Sequence, residues 1–107
     1  MRLDIRSRDR DLGERLRDVI ERKLRFTLAR YCPRIRRVSL HVTELNGAPG
    51  SRKTLCRITA RLLPAGEVSV EITEADLDTA VDRVAARIGA AVGRRLMQQR
   101  GRDGEAG

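Results

Sequence analysis

Tryptophan is absent, and Phe26 and Tyr31 are the only aromatic residues besides His41. That shortage excludes the RNA modules that stack successive bases on an aromatic sheet. His41 is the sole histidine and has no cysteine or carboxylate at metal-ligand spacing, so it reads as a surface side chain. Cys32 and Cys56 stand far apart without a CxxC partner; no metal site or redox motif is indicated, and both thiols are expected to stay reduced. No apolar run approaches a membrane span or the core of a signal peptide, and a cytoplasmic chain without a membrane partner is expected. No nucleophile, base and orienting group can be assembled from the remaining residues, so neither catalysis nor a cofactor is expected.

What the chain has is positive charge. Of its 107 residues, 23 are basic and 15 acidic, a net of +8, and every basic residue except Lys23 and Lys53 is arginine. The forked, weakly hydrated guanidinium suits phosphate, and such a balance suits a polyanionic partner. The excess is concentrated: residues 1–61 hold 17 basic and 7 acidic side chains, whereas residues 62–107 hold 6 and 8. The length is that of one domain, able to bury roughly two-thirds of its unfolded surface without staples. Residues 1–100 are expected to form it, with 101–107 a disordered polar tail.

From Leu12 to Tyr31, the residues Leu12, Leu16, Val19, Ile20, Leu24, Leu28 and Tyr31 recur at three- and four-residue steps, one side of a helix. At 100° per residue, Arg15, Arg22 and Arg25 fall nearly opposite, with Lys23, Phe26 and Arg30 on one shoulder. Asp11 or Gly13 is the expected N-cap, and Cys32-Pro33 the expected end. Before this helix, Leu3 and Ile5 alternate with Arg2, Asp4 and Arg6 as a short strand. After it, Val38, Leu40 and Val42 form a second, Cys56, Ile58, Ala60 and Leu62 a third, and Val68, Val70 and Ile72 a fourth beyond the Pro64-Ala65-Gly66 turn.

Thr73 and Asp76 resemble a capping box before a last helix whose stripe is Leu77, Val81, Val84, Ile88, Ala91 and Val92. Arg83, Arg87 and Arg94 line one flank of that helix. Ala86, Ala90, Gly93 and Met97 form a small, nearly uncharged outer strip. Gly89 and Gly93 would each cost about 1 kcal/mol against alanine in a helix interior, which asks for close backbone packing in return. The order of elements is βαβββα, an α+β fold: a four-stranded sheet with two helices on one face. The other face, with Arg37, His41, Arg57 and Arg61, is left open.

Gly47 to Thr54 is a near miss to a P-loop. Arg52 stands where glycine is needed, and a strand follows where a helix should; a hairpin loop over Asn46–Gly50 is the simpler reading. Gly47 to Gly50 also fits the GxxG of a KH module, which must join helices rather than strands. A double-stranded-RNA domain needs a basic start to its last helix, and this chain has Thr73-Glu74-Ala75-Asp76 there. Asp76, Asp78 and Asp82 read as dipole complement in a first turn rather than cation ligands.

With that order in place, the chain resembles the ribosome hibernation-promoting factor and ribosome-associated inhibitor family, from Met1 to about Arg95. The last helix carries most of the likeness, in Asp76-Leu77-x-x-Ala80-Val81-Asp82-x-Val84-x-x-Arg87-Ile88. The first adds Leu12-x-Glu14-x-Leu16, Lys23-Leu24 and Tyr31-x-x-x-Ile35. The resemblance implies a βαβββα domain that binds the small ribosomal subunit where messenger and transfer RNA would sit, during dormancy or stress. The family's helix-borne basic positions correspond here to Lys23 and Arg25 or Arg30, and to Arg87, Arg94 and Arg95. Together with the helix geometry this gives an expected rRNA-binding set of Arg15, Arg22, Lys23, Arg25, Arg30, Arg83, Arg87, Arg94 and Arg95. The alternative is a protein-interaction module whose Ala86, Ala90, Gly93 and Met97 strip packs on a partner or on its own copy.

Overall fold

Alternation of side chains decides the strands, and their pairing decides which face each residue serves. In the computed structural model, which describes residues 1–8, 11–46 and 52–106, β1 (Arg2–Ser7), β2 (Ile35–Asn46), β3 (Arg52–Leu62) and β4 (Glu67–Glu74) form one sheet in the order β1-β2-β3-β4. β1 runs parallel to β2, and the other neighbours are antiparallel. A parallel pair needs a crossover, and the first helix supplies it. The register stacks apolar rows across the inner face: Leu3, Val38, Ala60 and Val68, then Ile5, Leu40, Ile58 and Val70, then Val42, Cys56 and Ile72. Ile35 and Val38 are both buried although three residues apart, because a bulge between Ile35 and Arg37 resets the alternation. Of the loop expected over Asn46–Gly50, Asn46 instead ends β2, paired with Arg52, and 47–50 lie outside the described residues.

Helix α1 (Gly13–Leu28) buries Ile20, Leu24 and Leu28 against the sheet. Val19 departs from the expected stripe: one residue from Ile20 is about 100° of rotation, and it is 42% exposed. Neither Asp11 nor Gly13 is the N-cap. Leu12 occupies that position without a side-chain hydrogen bond, and the Asp11 carboxylate instead accepts the Gly13 amide at 3.0 Å, one residue earlier. The expected end at Cys32-Pro33 is also corrected. The α-helix stops at Leu28, where the Ala29 amide turns back to the Phe26 carbonyl, and a 3-10 segment continues over Ala29–Arg34 with Pro33 inside it. Pro33 has no amide hydrogen to offer an α-type bond, and the tighter winding accommodates it.

Helix α2 (Leu77–Ala106) buries Ala80, Val81, Val84, Ala85, Ile88 and Val92. Its cap is Asp76 itself rather than a Thr73 box. Thr73 lies in β4, while the Asp76 carboxylate accepts the Thr79 amide at 2.8 Å and its hydroxyl at 3.1 Å. Both helices lie on the inner face and run in the same direction, as successive contacts show: Lys23 with Asp82, Thr27 with Gly89, Tyr31 with Gly93. Close packing between them accounts for the two interior glycines. A Cβ on Gly89 would stand 2.9 Å from Thr27 Cγ2, and one on Gly93 would stand 2.6 Å from the Tyr31 hydroxyl. Any larger residue at either position would push against α1 or the segment that follows it.

Candidate nucleic-acid interface

The helices carry the expected basic residues outward, and the structure sorts them by what neutralises them. On α1, Arg15 and Arg22 are exposed and have no ion-pair partner among the described residues, whereas Arg25 is bonded to Glu21 at 2.9 Å and Lys23 to Asp82 at 2.5 Å. Arg30 lies over the Tyr31 ring, 5.8 Å from its centroid. On α2, Arg83 is bonded to Glu74, while Arg87, Arg94 and Arg95 are exposed without a carboxylate partner among the described residues. Arg17 lies on the sheet side of α1 and donates to the Ile5 carbonyl at 2.6 Å, satisfying an acceptor on the edge strand β1.

These cations do not merge into one patch. Helical phase sets Arg15 and Arg22 on the outer side of α1 and Arg87 on the side of α2 away from α1, beside Ser69 and Glu71 of β4, while Arg94 stands between that side and the surface around Tyr31 and Met97. Between the two ridges runs the low-charge strip. Ala86 and Ala90 are exposed, Met97 is 75% exposed, and Phe26 on the neighbouring shoulder of α1 is 86% exposed. Gly93 belongs to that strip in phase, but Tyr31 covers it. The arrangement can hold a polyanion along two rails with apolar surface between them.

The open sheet face behaves differently, because its β3 arginines are set opposite carboxylates of β4. Arg57 and Arg61 stand directly across from Glu71 and Glu67 and bond to them at 2.9 and 3.4 Å. Arg37 reaches Asp4 at 2.5 Å, and this hydrogen bond is the main reason the Asp4 carboxyl sits below its ordinary value. At the β1 end of this face, alternation places His41 and Arg6 outward but does not show that they share a cleft. There Arg6, Arg8 and His41 are exposed around a cleft with Thr43 and Leu55, without a carboxylate partner among the described residues. Register was the signal that could have found it, since Arg6, His41 and Arg57 share one cross-strand row.

No group of His, Cys, Asp and Glu among the described residues could hold a metal ion, and no helix among them is long and apolar enough to cross a membrane.

Comparison with solved structures finds the same arrangement of strands and helices elsewhere. The N-terminal domain of Protein Y from Thermus thermophilus superposes with a TM-score of 0.67 at 28% identity, over 88% of this chain and 98% of that one. A ribosomal subunit interface protein from Coxiella burnetii gives a TM-score of 0.74 at 16% identity, over 91% and 99% of the two chains, a likeness of fold. Comparison with curated proteins gives no match. The profile of the Sigma 54 modulation protein / S30EA ribosomal protein family matches residues 3–100, the whole sheet and most of α2, and the chain belongs to that ribosome-associated family of hibernation factors.

Proposed function

We propose that this protein binds the small ribosomal subunit through its two helices, occupies the path of messenger and transfer RNA, and so holds translation off during dormancy or stress. The observation that carries this reading is the division of charge. Arg15 and Arg22 on α1 and Arg87 and Arg94 on α2 have no carboxylate partner among the described residues, while Arg37, Arg57 and Arg61 on the sheet are paired. Unpaired guanidinia keep their full attraction for phosphate, and they position a protein on RNA without needing to read its sequence. No chemical step and no cofactor enter this account. On this reading the protein acts in the cytoplasm.

Competition on purified small subunits tests it. Increasing protein should displace messenger and transfer RNA from the subunit in step with its own binding; stable co-occupancy of all three would contradict the proposal. The exposed Ala86, Ala90 and Met97 strip favours a second reading, packing on a protein partner or on a second copy of the chain. Such a contact would survive high salt, whereas binding through phosphates would not.

A further inference from the structure

Beside the contact of Tyr31 with Gly93, where the 3-10 segment passes α2, lies a cleft of about 600 Å³. Tyr31, Ala90 and Met97 wall it, and Arg34, Arg94 and Arg100 stand at its rim. Gly93 makes the cleft's shape possible, because any side chain there would displace the Tyr31 ring from its seat. Arg34 is fixed in place: its Nε donates to the Leu63 carbonyl at 2.9 Å and its Nη2 to Gln99 Oε1 at 3.3 Å. Neither bond neutralises the guanidinium. Arg94 and Arg100 have no carboxylate partner among the described residues. The volume is within the range of small-ligand pockets.

An apolar wall with one aromatic ring, inside a rim of three cations, matches one kind of occupant. It needs a flat π-face for the wall and a negative charge within reach of the rim. From this charge complementarity we infer that the cleft takes a single unpaired nucleotide of the bound RNA, its base against Tyr31 and Met97 and its phosphate toward Arg34, Arg94 and Arg100. A duplex cannot supply this occupant, since its bases are in the stack. The inference rests on the RNA-binding reading above and deepens it, giving the helix face a preference for single-stranded RNA.

The chain offers its own reporter, for it has one tyrosine and no tryptophan. Titration with a short single-stranded RNA should quench Tyr31 fluorescence, and an abasic oligomer with the same number of phosphates, at the same bound fraction, should not. The variant Ala90→Leu keeps every charge and fills the cleft from an exposed helix position. It should lose the quenching and weaken single-strand binding about five- to 150-fold, the range spanned by one base stack, with the salt slope unchanged. Equal quenching by the abasic oligomer, or an unaltered titration in Ala90→Leu, overturns the inference. Its failure and the failure of RNA binding as a whole are distinguishable. If the wild type binds small subunits with a steep salt slope and Ala90→Leu matches it in every respect, the cleft fails and the RNA-binding reading stands. If the wild type does not bind subunits, that reading fails.

Discussion

Cys56 has no exposed surface, and burial pushes its thiol up to about 11, so it is a small apolar residue in function and a poor nucleophile. Cys32 is half-buried on the 3-10 segment. A thiol reagent on the native protein should therefore modify Cys32 alone, and both cysteines only after denaturation; two rapid native thiols, or none in denaturant without reductant, would contradict this. Asp76 gives a second test at this scale. The Thr79 amide and, to a lesser degree, its hydroxyl hold the Asp76 carboxyl below its ordinary 3.8. The folded state thus binds that proton less readily than the unfolded chain. Its contribution to stability is complete above the unfolded value and disappears as pH falls through the lower folded one. Thermal unfolding of wild type and Asp76→Ala should differ at neutral pH and converge in acid. A gap that does not change with pH would mean the carboxylate is not the cap.

At the scale of elements, α2 is fixed by its buried stripe and by its packing on α1. Ile88 is fully buried, and Ile88→Ala should cost on the order of 2 to 5 kcal/mol in denaturant unfolding; a loss below about 0.5 kcal/mol would mean that the helix faces the sheet with a different side. Gly89 tests the approach of the two helices. Thr27 cannot simply turn away, since its hydroxyl is bonded to the Lys23 carbonyl at 2.8 Å, so Gly89→Ala should destabilise despite its better helix propensity. In a Thr27→Ser background, which removes the opposing methyl, the same change should instead stabilise by about 0.5 to 1 kcal/mol. Additive effects would show that the helices do not touch there.

The elements that periodicity describes were legible in the sequence: the four alternating strands, the stripes of both helices apart from Val19, and the requirement for close packing at Gly89 and Gly93. What it missed depends on partners distant in the chain. Tyr31 covers Gly93, register sets Arg57 and Arg61 opposite Glu71 and Glu67, and Arg37 reaches diagonally to Asp4, so none of these three arginines is open as alternation alone suggests. The ends of the helices were missed for a local reason. Pro33 changes the winding four residues before it is reached, and Asp76 caps on its own where a box was expected three residues earlier.

For the whole molecule, the net charge of +8 matters less than where it is left uncompensated. Cross-strand pairing neutralises much of the sheet, and the outer sides of the helices keep arginines that nothing within the described fold holds. The most direct test is the salt dependence of cosedimentation with purified small subunits. The Arg15→Ala/Arg22→Ala pair on α1 is compared with Arg57→Ala/Arg61→Ala on the sheet. Removing one arginine from a phosphate should lower the magnitude of the slope of log affinity against log salt by about 0.7 to 0.9. The α1 pair is predicted to lower it by roughly twice that amount, and the sheet pair to leave it almost unchanged. Loss of subunit binding from the sheet pair, with the α1 pair indistinguishable from wild type, would contradict binding through the helices.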